Sequence, residues 1–152
     1  MKKISVFLSA AILFIACDKD SFETKPTLKV ESVSSNVVPK GSSLGITLSF
    51  TDKEGDVSDT LFIIRQRTNI RGMRTAAASP YRIPTFPNES KGEIALNLDY
   101  VNDLTFGFTE IRIPGTTPSQ FEPDSMNLRF VLKDKAGNKS DTASTSVVVL
   151  RQ

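Results

Sequence analysis

The chain has 152 residues, with 19 Lys and Arg against 17 Asp and Glu, one Cys, and neither His nor Trp. Without His there is no imidazole general base, no imidazole metal ligand and no His-relayed nucleophile. A single Cys excludes an internal disulfide and a thiolate zinc cluster, and the length suits one domain with its own core.

Lys2 and Lys3 open the chain and are followed by Ile4–Ala16, 13 residues without a charge. As a helix this run spans about 20 Å, short of the roughly 30 Å of a bilayer core. It therefore reads as a secretory hydrophobic segment and not as a membrane span. The run Phe14-Ile15-Ala16-Cys17 resembles a bacterial lipobox, with Phe14 where Leu is usual. That resemblance implies cleavage after Ala16, diacylation of the Cys17 sulfur and acylation of the new amine. Lipid chains buried at about 0.8 kcal/mol per CH₂ would then anchor the protein without spanning the membrane. Loss of Lys2 and Lys3 leaves 17 basic and 17 acidic groups, so net charge gives no case for nucleic acid. Residues 17–26 form the lipidated Cys and a polar tether. Asp18, Lys19 and Asp20 resemble the acidic export signal of surface lipoproteins in the Bacteroidetes, and also the inner-membrane retention signal of enterobacteria. The outer membrane is the favoured address, at its surface or its periplasmic face.

From Thr27 to the end, a domain over 27–152, the apolar residues recur with period two. Leu28 and Val30 alternate, then Leu44, Ile46, Leu48 and Phe50, then Ile94, Leu96, Leu98 and Tyr100, then Met126, Leu128, Phe130 and Leu132. Such alternation marks half-buried strands. The runs 60–67 (TLFIIRQR), 106–113 (FGFTEIRI) and 142–150 (TASTSVVVL) add β-rich segments. About seven strands without a helical period predict an all-β, antiparallel two-sheet sandwich, with a small barrel as the alternative.

Residues 48–60 (LSFTDKEGDVSDT) and 130–142 (FVLKDKAGNKSDT) repeat one phrase, Asp-Lys-x-Gly-(Asp/Asn)-x-Ser-Asp-Thr, after an apolar-alternating strand. Asp and Ser bond nearby backbone N–H groups and Gly supplies a positive φ, which is what a sharp turn between strands requires. In a sandwich of this strand order the two loops lie at the same end. The paired phrases resemble the Ig-like or cadherin-like domains of Bacteroidetes lipoproteins. That resemblance implies surface display more than any chemistry.

Asp52, Glu54, Asp56 and Asp59 in the first loop, with Asp134, Asn138 and Asp141 in the second, are candidate Ca²⁺ ligands. Calcium takes six to eight hard oxygens, which clustered carboxylates and loop carbonyls can supply. Asp52, Glu54, Asp56 and Asp134 form the proposed set. The competing reading is a pair of tight turns whose acids satisfy backbone donors. Lys53, Lys133, Lys135 and Lys139 would weaken the negative potential.

The second candidate is the segment 68–92, which shows no clear strand and carries Arg71, Arg74 and Arg82, with Arg65 and Arg67 just before it. From Arg65 to Asn88 it holds no acid, and Tyr81 and Phe86 interleave. Long loops are often functional, and Arg with aromatic side chains suits a glycan, a carboxylate or a protein partner. Arg71, Arg74, Tyr81 and Arg82 are the expected contacts. The plain alternative is a solvated insertion, with a short edge strand masked by charge. Asn88-Glu89-Ser90 is a glycosylation sequon by pattern only. Asp59-Thr60-Leu61, Asp124-Ser125-Met126 and Asp141-Thr142-Ala143 resemble Bacteroidetes O-glycosylation acceptors, and equally ordinary turns leading into strands.

No nucleophile elbow, Ser-x-x-Lys, phosphate-cradling loop or isolated carboxylate pair is present. The expectation is a non-enzymatic, lipid-anchored envelope protein that binds or holds something. It needs no cofactor beyond a possible calcium ion, and its partner is an envelope protein or a glycan.

Overall fold

The computed structural model describes residues 25–75, 78–84, 86 and 88–152. Cys17, the expected lipobox and most of the expected tether lie outside the described residues. The chain order is β1 (Thr27–Val33), β2 (Val37–Val38), β3 (Ser43–Thr51), β4 (Val57–Arg67), β5 (Ser79–Ile83), β6 (Lys91–Asp99), a π-helical segment Tyr100–Thr105, β7 (Asp124–Asp134) and β8 (Ala143–Val149). A three-stranded sheet has the order β1-β3-β6 and a five-stranded sheet the order β2-β8-β7-β4-β5. The all-β, two-sheet expectation holds.

Alternation builds the interior. Leu44, Ile46, Leu48 and Phe50 of β3, with Ile94, Leu96 and Leu98 of β6, face Leu61 and Ile63 of β4 and Met126, Leu128, Phe130 and Leu132 of β7 across one buried cluster. Each fully buried aliphatic or Phe side chain contributes about 1.5–3 kcal/mol by leaving water. Phe50 packs edge-on against Phe86 at 5.1 Å between centroids. Gly92 lies opposite Phe50 in register, and a Cβ there would sit 2.9 Å from the Phe50 ring.

Strand pairing decides three further expectations. The run 106–113 is no strand: it forms only an isolated bridge, Arg112 with Phe121. Its backbone carbonyls instead accept from buried arginines, as described below. The segment 68–92 carries the short edge strand of its plain alternative, β5, beside β4, where Pro80 removes no ladder bond that a central strand would need. The pairing is also not wholly antiparallel, because the two-residue β2 runs parallel to Val148–Val149.

The register defines two ends. At the base end, Thr51 lies between Thr27 and Lys91, and Val57 pairs with Asp134. At the far end, Arg67 pairs with Met126, Ser43 with Asp99, and Asp124 with Val149. The chain enters at the base end, where Lys25 Nζ lies 2.5 Å from Asp141 Oδ1.

Candidate functional site

At the base end the two repeated loops meet. Asp52 extends the inward phase of β3 by one step, and Asp134 closes the inward phase of β7. Both are buried, at 1% and 3% exposure. Gly55 (φ 65°) and Gly137 (φ 96°) turn the chain in each loop. Lys135 N–H donates to the Asp56 carbonyl across the gap at 3.3 Å. Asp52, Asp56 and Asp134 each bring a carboxylate oxygen within 4.8 Å of the other two. The loops are therefore neighbours although the two lead acids are 82 positions apart.

These acids are satisfied unequally. Asp134 accepts from Asn138 N–H at 2.7 Å and from Asn138 Nδ2 at 2.8 Å, the expected turn role. Asp52 Oδ2 accepts from Asp56 N–H at 3.0 Å. Asp52 Oδ1 and Asp56 Oδ1 are buried without a hydrogen-bond partner. Burial lifts the Asp52 carboxyl above its ordinary 3.8; the Asp56 N–H bond pulls it down, while the Asp56 and Asp134 carboxylates push it further up. Glu54 is exposed and is not part of the group, which corrects the proposed set of four. It sits in the turn, beyond the inward phase that carries Asp52. The Asp59 side chain lies outside the described residues. Lys53, Lys135 and Lys139 are exposed, and Lys139 lies 6.0 Å from the Phe62 ring.

At the far end a second charged group is wholly interior. The inward phase of β4 runs Leu61, Ile63, Arg65, Arg67, so both arginines point where a core residue would. The side chains of Arg67 and Asp124 are at 0% exposure, 2.9 Å apart between Nη2 and Oδ1. Arg151 Nε donates to Asp124 Oδ2 at 2.7 Å. Two guanidinium groups thus share one carboxylate. The arginines then hold the long connection between Asp99 and Asp124. Arg65 Nη1 donates to the carbonyls of Asp103 and Phe106 at 2.7 and 2.8 Å. Arg67 Nη2 donates to Thr109 O at 2.9 Å, and Arg151 Nη2 to Phe108 O at 3.2 Å. The Phe108 ring centroid lies 4.7 Å from the Arg67 guanidinium and 5.7 Å from that of Arg65. Tyr100 Oη donates to Leu150 O at 2.7 Å. Burial lowers Arg65 and raises Tyr100 from their ordinary values, with Arg151 opposing the Tyr100 shift.

The four expected contact residues do not form one surface. Arg71, at the far end, ion-pairs with Glu122. Arg74 is exposed, and among the described residues its side chain makes a 3.5 Å contact to Ile70 O. Tyr81 and Arg82 are successive on β5, so they face opposite ways. Tyr81 packs on the core while Arg82 is exposed and pairs in register with Thr60, toward the base. Arg65 and Arg67, which directly precede the basic segment in the sequence, serve the interior. Of the proposed acceptor triplets, Asp124-Ser125-Met126 begins with an acid committed to the buried ion group. The far end also exposes Ile70, Met73, Val101 and Phe106 at 89%, 57%, 60% and 67%.

No protein-family model and no curated protein sequence matches the chain. Among solved structures it is similar to a β-glucosidase from Erythrobacter marinus (14% identity, TM-score 0.48, 84% of this chain and 16% of that one). It is also similar to a β-glucosidase from Listeria innocua (12%, 0.46, 82% and 16%) and to the sporulation control protein Spo0M from Bacillus subtilis (10%, 0.45, 84% and 50%). The chain thus spans about a sixth of the length of either glucosidase, and likenesses this distant carry no chemistry over to it.

Proposed function

We propose that this chain is a lipid-anchored envelope protein, held at the outer membrane by an acylated Cys17. Its two sheets form an Ig-like sandwich that works by binding, as an adhesion or assembly module, without catalysing a reaction. One observation carries the binding role. The loops farthest from the entry of the chain expose Ile70, Met73, Val101 and Phe106, beside Arg71 and Arg74, and three buried arginines hold the backbone of the segment that carries Val101 and Phe106. Apolar side chains fixed in place before contact lose little further entropy on binding, which favours affinity. The partner in this reading is an envelope protein.

The test uses cross-linking on cells expressing wild type, Ile70→Ser/Phe106→Ser and Arg71→Ala/Arg74→Ala. Both double variants are expected to lose the wild-type adduct while keeping the wild-type melt. An adduct unchanged by either overturns this reading. Binding on a glycan array that is abolished by Tyr81→Ala supports the carbohydrate-binding alternative instead.

A second reading concerns the base end. We propose that Asp52, Asp56 and Asp134 take a divalent cation, with calcium favoured because every donor is a hard oxygen. The two orphaned buried carboxylate oxygens support it, since such atoms lose hydration without recovering a bond. Millimolar Ca²⁺ at about 100 times its dissociation constant would stabilise the fold by about 2.7 kcal/mol. Identical melts in calcium, chelator and buffer would dispose of the cation.

A further inference from the structure

The outer face of the three-stranded sheet carries a groove of about 660 Å³, and we propose that it is a binding site for an uncharged oligosaccharide. Pairing register lays out its floor and walls. One row across the sheet is Thr27, Thr51 and Lys91; the next is Lys29, Ser49 and Glu93. The central strand therefore contributes short hydroxyl side chains, half-buried, while the flanking strands raise long charged ones. Walls on β1 and β6 stand about 10 Å apart, two inter-strand spacings, which is wide enough to lay a sugar ring between them.

A β-bulge shapes the β1 wall. The pairing shifts between Val30 and Ser32, so Glu31 and Ser32 are both exposed where simple alternation would expose one. Bulges re-aim side chains in this way. Glu31 turns over the floor and accepts from Ser49 Oγ at 2.5 Å. Lys29, Lys91 and Glu93 make no side-chain hydrogen bond or ion pair among the described residues. Lys29 and Glu93 face each other across Ser49 but too far apart to pair.

The chemistry of these walls selects the ligand. Two ammonium and two carboxylate groups give no net charge, so neither an anion nor a cation is favoured. Every N–H and C=O of a central strand is used within the sheet, so recognition on this face falls to side chains. Hydroxyl groups on a sugar are both donors and acceptors, matching Lys and Glu together. The lysine stems and threonine methyls offer apolar contact for the C–H faces of the ring.

The test screens an immobilised panel of neutral and acidic oligosaccharides, then titrates the tightest neutral binder into ¹⁵N-labelled protein comprising residues 18–152. Shifts confined to β1, β3 and β6 around Ser49 are expected. Ser49→Arg should weaken binding at least roughly tenfold by filling the floor, and Glu93→Gln severalfold by removing a charged acceptor. No neutral binder at millimolar concentration, shifts centred on the far-end loops, or wild-type affinity in both variants would overturn the site. So would a clear preference for acidic glycans or for an extended peptide.

Discussion

Asp52 and Asp124 are both acids with almost no contact with water, and their neighbours give them opposite characters. Asp124 is flanked by two guanidinium groups, so its charge is compensated twice. Asp52 is flanked by two further carboxylates, so its charge is opposed. Removing the carboxylate of Asp124 leaves Arg67 and Arg151 buried and uncompensated, which costs about 3–5 kcal/mol. Urea unfolding of Asp124→Asn should show a loss of that order with an unchanged m-value; a loss under 1 kcal/mol would contradict the ion group's role. For Asp52 the sign reverses. Its folded pKa lies above the unfolded 3.8, so the folded chain holds the proton more tightly than the unfolded one. That contribution to stability is complete below about pH 3.8 and is lost as pH rises through the raised value. In chelator, Asp52→Asn should flatten this part of the pH–stability curve and remove any increment from calcium. A curve superimposable on wild type would show that Asp52 does not experience the field described.

The connection from Asp99 to Asp124 is an element with little ladder pairing of its own, held by what the strands around it donate. Asp99 caps the π-helical segment, accepting from the N–H groups of Val101 and Asn102. Gly72 (φ 85°) closes the neighbouring loop over the same region: a Cβ there would lie 2.7 Å from Arg67 Nη1 and 3.0 Å from Ile111 Cδ1. Gly72→Ala should cost about 1–3 kcal/mol through backbone strain and displacement. Hydrogen exchange should quicken in residues 100–111 and stay slow in β3 and β6; uniform quickening would contradict a local clamp.

Much of this was legible from phase, and the misses have separate physical causes. The alternation that marks β3, β4 and β7 also points Asp52, Arg65, Arg67, Asp124 and Asp134 inward, so the buried charges could have been found by extending each strand's parity to its ends. Charge obscured that, because a polar residue at a strand end reads as the beginning of a loop. The run 106–113 misled in the other direction: its composition is β-rich, but Gly107 (φ 80°) breaks it near its start, Pro114 ends it and arginine side chains take its carbonyls. Short β2 and Pro-containing β5 carry too little pattern to be seen before the sheet exists. The meeting of the two acidic loops followed from the repeated phrase taken together with the strand order of a sandwich, which puts both loops at one end. Glu54 failed because it lies in the turn itself.

For the whole molecule, polarity along the strands is the organising fact. The described chain enters beside the acidic group, tied by Lys25 to Asp141, and among the described residues Ile70, Met73, Val101 and Phe106 are exposed at the opposite end. In the proposed reading, nine residues between Cys17 and Thr27 join a lipid at the base to a body whose binding loops face away from it. Cys17→Ser should release the protein from the membrane fraction while leaving its melting temperature unchanged; retention in the membrane would point to another anchor. The most direct measurement is the mass of the N-terminal peptide from membrane-extracted protein. The expected result is a chain that begins at residue 17, with a diacylglyceryl group on sulfur and a fatty acyl group on the new amine. A bare thiol on protein recovered wholly from the soluble fraction, or a mature chain still carrying residues 1–16, would contradict it.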